Sequence, residues 1–103
     1  MSKQVKAEKI HDLLKRIKDC LDSGNYRFTK HALERKEERF VSLPDILEIL
    51  RNGHHEKTKD SWNEQFKAWD YAIKGKTVDQ ETCRIIVSFD SNGLLIITVI
   101  RLN

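Results

Sequence analysis

Two runs rich in β-branched residues, CRIIVSF at 83–89 and LLIITVI at 94–100, are joined by the tetrapeptide DSNG. Val, Ile and Thr fit a pleated, packed surface, and Asn-Gly tolerates the positive φ of a tight hairpin turn, so the pattern predicts an antiparallel pair. Both runs are apolar at nearly every position. A strand with one wet face would alternate, so these two are expected at the centre of a sheet covered by helices on at least one side. Most of what this chain can fold into follows from that hairpin.

The residues before it supply the rest of the layers. QFKAWDYAIKG alternates Phe66, Ala68, Asp70 and Ala72 against Lys67, Trp69, Tyr71 and Ile73, which reads as a further strand with aromatics along one side. Residues 4–22 read as a helix whose apolar stripe is Val5, Ile10, Leu13, Leu14, Ile17 and Leu21, closed by DSGN with Gly24 as its cap. YRF alternates briefly before Thr29, an N-cap for a second helix, with Phe28 and Leu33 spaced as a hydrophobic staple. Ser42, Pro44 and Asp45 open a third helix with Ile46, Leu47, Ile49 and Leu50 on its buried face, and RNG closes it. Helices first and then an antiparallel meander of about four strands make an α+β layered fold. At 103 residues, of which 39% are hydrophobic, the chain supports one modest core and hence a single domain over residues 1–103.

No apolar run approaches the roughly 20 residues of a membrane-spanning helix. MSKQVKAEKI lacks the apolar stretch of a secretion signal, and Cys20 and Cys83 lie far apart in no metal-ligand spacing. The expectation is a cytoplasmic protein with two free thiols, no cofactor and no metal. The net charge of +3, from 19 Lys and Arg against 16 Asp and Glu, is too small to coat nucleic acid nonspecifically. Any nucleic-acid contact must come from where the cations are placed.

The segment FTKHALERKEERF, residues 28–40, places them unusually. His31, Arg35 and Arg39 recur every four residues, so they share one gently drifting helix face. His31 falls in the first turn, where the helix dipole opposes added positive charge, and imidazole is the side chain suited to proton transfer near neutral pH. Against this stands a plain solvated face, with Glu34, Glu37 and Glu38 balancing the cations and the stem of Lys36 covering the core edge. His54 and His55, adjacent in an extended segment, point to opposite faces and do not make a metal pair. Trp62, Trp69 and Tyr71 suit either base stacking or the core. Arg84 interrupts an apolar strand and therefore requires a carboxylate, a phosphate or an open face. His31, Arg35, Arg39 and Arg84, with Tyr71 or Thr98 from neighbouring strands, are the candidate site. With no phosphate-binding Gly loop, nucleophile elbow or paired-Cys metal site, the remaining chemistry is metal-free action on a phosphodiester, or recognition of an anion.

YRFTKHALERKEERF, LPDILEILRNG, CRIIVSF and GLLIITVI together resemble a branch of the RelE/ParE-like toxin superfamily that opens on a His-Ala-x-x-Arg helix, with BrnT and MqsR toxins as distant relatives. The resemblance covers residues 26–101, and residues 1–24 would be an additional N-terminal helix. It implies two helices on one face of a twisted antiparallel sheet, and cleavage of mRNA, free or on the ribosome, restrained by an antitoxin partner. In such enzymes the RNA 2′-oxygen attacks the adjacent phosphate without a metal. Carried over, His31 is the catalytic base or acid, Arg35 and Arg84 are phosphate clamps, and Arg39 is a secondary contact. Lys36 and Phe40 depart from the Met and Gly that many members of the branch carry. The other reading is a non-catalytic RelE-like domain that binds a protein or nucleic acid.

Overall fold

The computed structural model describes residues 6–102. Helix α1 spans Leu13–Ser23, strand β1 Tyr26–Phe28, α2 Lys30–Glu38 and α3 Leu43–Asn52. Strands β2 (His54–His55), β3 (Ser61–Asn63), β4 (Ala68–Lys76), β5 (Thr82–Asp90) and β6 (Gly93–Arg101) follow, with a 3-10 turn at Lys57–Lys59. This is an α+β fold on one open mixed sheet.

The hairpin behaves as its composition requires. Asp90 pairs with Gly93 across a two-residue turn, and β5 and β6 lie inside the strand order β1-β6-β5-β4-β2. Among the described residues the sheet has six strands, against the four or so expected from the sequence. The additional strands are two or three residues long, below the length at which periodicity separates a strand from a loop. β1 also runs parallel to β6, with Tyr26 opposite Leu94 and Phe28 opposite Ile96, so the sheet is mixed and not a simple meander. β2 and β3 both pair with the outer edge of β4, one after the other.

Register separates the two faces. Tyr71, Ile73, Ile85, Val87, Ile96 and Val99 share the helix side and pack with Leu13, Ile17 and Leu21 of α1, Ala32 of α2, and Ile46, Ile49 and Leu50 of α3. On the opposite, helix-free side lie Lys74, Arg84 and Ile100 in one row and Ala72, Ile86 and Thr98 in the next. The register slips between Ile86 and Val87, which leaves Ile97 as the extra residue of a bulge in β6.

Two of the three helices begin where their caps predict. The Thr29 hydroxyl accepts from the Ala32 N–H at 3.0 Å, and Ser42 accepts from Asp45 N–H at 3.2 Å, with Pro44 in the first turn. The first helix is shorter than its apolar stripe suggests. Ile10 lies before it, Asp12 takes a left-handed conformation (φ 53°), and residue 4 and Val5 lie outside the described residues. The physical reason is competition from tertiary hydrogen bonds. The Trp69 indole N–H donates to the Ala7 carbonyl at 2.7 Å, and the Ile10 N–H donates to the Tyr71 hydroxyl at 2.9 Å. Those bonds hold residues 7–10 as a strap over β4, which a continuous helix could not make. Leu33 remains exposed beyond the second cap, and both cysteines are free. No helix of the described residues is long and apolar enough to cross a membrane.

Candidate functional site

Thr29 determines where α2 begins. Its N–H donates to the Ile96 carbonyl at 2.9 Å and its hydroxyl to the Ile97 carbonyl at 3.0 Å, so the helix start is fastened to the β6 bulge, one residue from Thr98. His31 follows in the first turn and is exposed. Among the described residues no hydrogen bond or ion pair engages it. Arg35 pairs with Glu38 at the surface, and Arg39 is the C-terminal cap residue, its N–H donating to the Arg35 carbonyl at 2.9 Å. The Arg35–Glu38 pair is exposed and therefore worth little. Lys36 lies against the core edge with its ammonium on Glu37.

Arg84 and Thr98 occupy the helix-free face, as the strand register requires. The Arg84 guanidinium is turned away from α2. Its Nε donates to Glu56 Oε1 at 2.6 Å and its Nη2 to Oε2 at 3.3 Å, a two-pronged pair that spans β4 toward the outer edge of the sheet. Arg84 therefore finds inside the chain the carboxylate that an arginine in an apolar strand demands. The hydrogen bond from Arg84 holds the Glu56 carboxyl below its ordinary range, with Lys74 and His54 adding weaker attraction. Tyr71 is placed on the other side of the sheet. It is 2% exposed, packs edge-on against His55 and Phe89, and its hydroxyl is taken by Ile10 N–H. The structure thus joins Thr98 and Arg84 on one face, puts the start of α2 beside Thr98, and assigns Tyr71 to the core.

The remaining candidates resolve into structural roles. His54 is exposed, whereas the His55 Nε2 lies 2.7 Å from Asp60 Oδ2. The Asp60 side chain is fully buried, and its other oxygen accepts from Ala72 N–H at 3.0 Å. That carboxylate substitutes for a strand partner along the edge of β4 where the 3-10 turn separates β2 from β3. Lys9 of the strap adds an ammonium at 3.0 Å. Trp62 and Trp69 stack edge-to-face at the β3–β4 pairing, and Lys9 lies over the Trp69 ring.

A cleft of about 460 Å³ opens on the helix-free face at the far end of β4 and β5. Its floor includes Asp70, Ser88 and Leu95, with Phe66 on one side and Thr29 and Ile97 on the other. Burial pushes the Asp70 carboxyl above its ordinary range, opposed only by a long 3.5 Å hydrogen bond from Asn63. A cleft containing a carboxyl with a perturbed pKa is a recognised mark of a functional site. Sequence reasoning noted Asp70 only as one step in an alternation. A carboxylate set between Trp69 and Tyr71 in a strand was the available signal. Among the described residues no three His, Cys, Asp or Glu side chains gather in a manner that would hold a metal ion.

Residues 28–101 match the family described as a domain of unknown function, DUF4258, and the chain belongs to that family. The matched region starts at the last residue of β1 and runs to the last residue of β6, so it contains α2, α3, strands β2 to β6 and the cleft, and leaves out α1 and most of β1. No curated protein matches the chain.

Proposed function

We propose that this member of the DUF4258 family is a toxin-like, RNA-cleaving domain that acts without a metal. The observation that carries the reading is the exposed, untied His31 in the first turn of α2, followed by the guanidiniums of Arg35 and Arg39 on the next two turns. An imidazole open to solvent can meet a macromolecular substrate that no small pocket would admit. On this reading the RNA 2′-hydroxyl gives its proton to a base and its oxygen attacks the adjacent phosphorus. The 5′-oxygen then leaves with a proton from an acid. His31 serves one of those transfers, and Arg35 and Arg39 neutralise the charge that builds on the phosphorane oxygens.

The reading extends the resemblance to RelE/ParE-like toxins. Residues 26–101 are then a RelE-like core, and α1 is an addition that offers a surface to an antitoxin partner. The site of action would be cytoplasmic, on mRNA with or without the ribosome. The test is cleavage of end-labelled RNA by the purified chain in chelator, in the presence and absence of ribosomes. The expected products carry 2′,3′-cyclic phosphate ends, and His31→Ala slows their formation by about 10²- to 10⁴-fold while leaving the circular dichroism spectrum unchanged. Equal cleavage by wild type and His31→Ala would overturn the assignment.

One observation favours a second reading, a non-catalytic domain of the same fold that binds a partner. Glu56 already occupies Arg84, the strand arginine assigned to phosphate by the resemblance. Induced expression in a bacterial host separates the two. Growth arrest that requires His31 supports cleavage, and a stable partner without arrest supports binding.

A further inference from the structure

We infer that the cleft beside Asp70 is a docking site for a lysine or arginine side chain of a partner protein. This inference is independent of whether the α2 face cleaves RNA. Each charged group around the cleft except one has an opposite charge close by. Asp90 is paired with Arg27 and accepts from Asn92 N–H, and Lys67 is paired with Glu64 outside the cleft. The Ser88 hydroxyl donates to the Trp69 carbonyl at 2.8 Å. Asp70 alone has no cation, only the distant Asn63 amide, among the described residues. A half-buried carboxylate in that position is strongly complementary to a cation that arrives from outside.

The walls decide what carries the cation. Leu95, Ile97 and Phe66 are apolar, and Phe66 is exposed. They match the methylene stem of a long basic side chain, with its charged end on Asp70. The other polar groups that line the cleft already have partners inside the chain, Thr29 on the Ile97 carbonyl, Ser88 on the Trp69 carbonyl, Lys67 on Glu64 and Asp90 on Arg27, so among the described residues Asp70 is the one charge left for a ligand to match. The helix-free face continues from Leu95 and Ile97 into the part-exposed Ile86 and Ile100, which gives the rest of a partner an apolar surface to cover.

The experiment is a titration of the isotope-labelled chain followed by amide shifts, with three probes. N-acetyl-lysine N-methylamide represents the partner side chain, n-hexylammonium a free amine, and n-hexanol the apolar stem alone. The lysine amide is expected to shift Asn63, Asp70 and Ser88 saturably and to bind at least as tightly as hexylammonium. Asp70→Asn is expected to weaken it by about tenfold or more, and a folded spectrum of that variant shows that the loss is local. Tighter binding of hexylammonium than of the lysine amide would overturn the protein partner in favour of a free amine. Equal shifts with hexanol, or unchanged affinity in Asp70→Asn, would overturn the cation site.

Discussion

Arg84 and Glu56 meet across β4 with two hydrogen bonds, although 28 residues separate them in the chain. Their side chains are 17% and 15% exposed, so neither charge is fully desolvated and neither is freely hydrated. The pair ties the segment after β2 to a central strand, and it holds the guanidinium away from α2.

Glu56→Gln is expected to cost about 1–3 kcal/mol at neutral pH, because Arg84 keeps its charge and loses its charged acceptor. The Arg84 hydrogen bond depresses the folded-state pKa of Glu56. Its stabilisation is therefore full above the ordinary carboxyl value of 4.5 and disappears as pH falls through the lower folded value. Urea unfolding of wild type and variant should diverge at pH 7 and converge in strong acid. An equal gap at both pH values would contradict the role given to the pair.

Asp70 has the opposite sign. Burial raises its folded-state pKa, so the ionised form opposes folding, and stability recovers as pH falls through the raised value toward the ordinary 3.8. Asp70→Asn is expected to raise the melting temperature at pH 7, with the gain shrinking in acid. Stability sacrificed at one carboxyl while ligand binding depends on it is the usual mark of a functional group. Calorimetry across pH 3–8 reads both effects.

Phe40 sits just past α2 with a left-handed φ of 55° and is 86% exposed. The aromatic ring gains almost no burial there, and its Cβ is strained by the backbone. Phe40→Gly is expected to stabilise the fold by about 0.5–1 kcal/mol, the relief of left-handed strain less the added freedom of glycine in the unfolded chain. A lower denaturation midpoint for the variant would show that Phe40 makes packing contacts in solution.

Asp60 joins three partners: Ala72 N–H, His55 and the strap residue Lys9. Asp60→Ala is expected to cost about 1–3 kcal/mol because it strands the buried Ala72 donor. Lys9→Ala should cost less than about 1 kcal/mol, since its ammonium is partly solvated. Limited proteolysis near residues 7–12 should accelerate in Asp60→Ala before global unfolding does.

What the residues determined locally was the hairpin, the two capped helices and the α+β layering, for each rests on signals a few positions apart. Asn-Gly between β-branched runs, Thr29 over Ala32, and Ser42 over Asp45 act through neighbouring backbone groups. The demand of Arg84 for a partner was equally legible, because a charge in an apolar strand cannot go unmatched. Which partner was not. Glu56, the strap that shortens α1 and the parallel pairing of β1 depend on residues 28 to 68 positions apart, and the cleft at Asp70 gathers residues from Thr29 to Ile97. Contacts of that span leave no period in the chain, and only the assembled sheet brings these residues together.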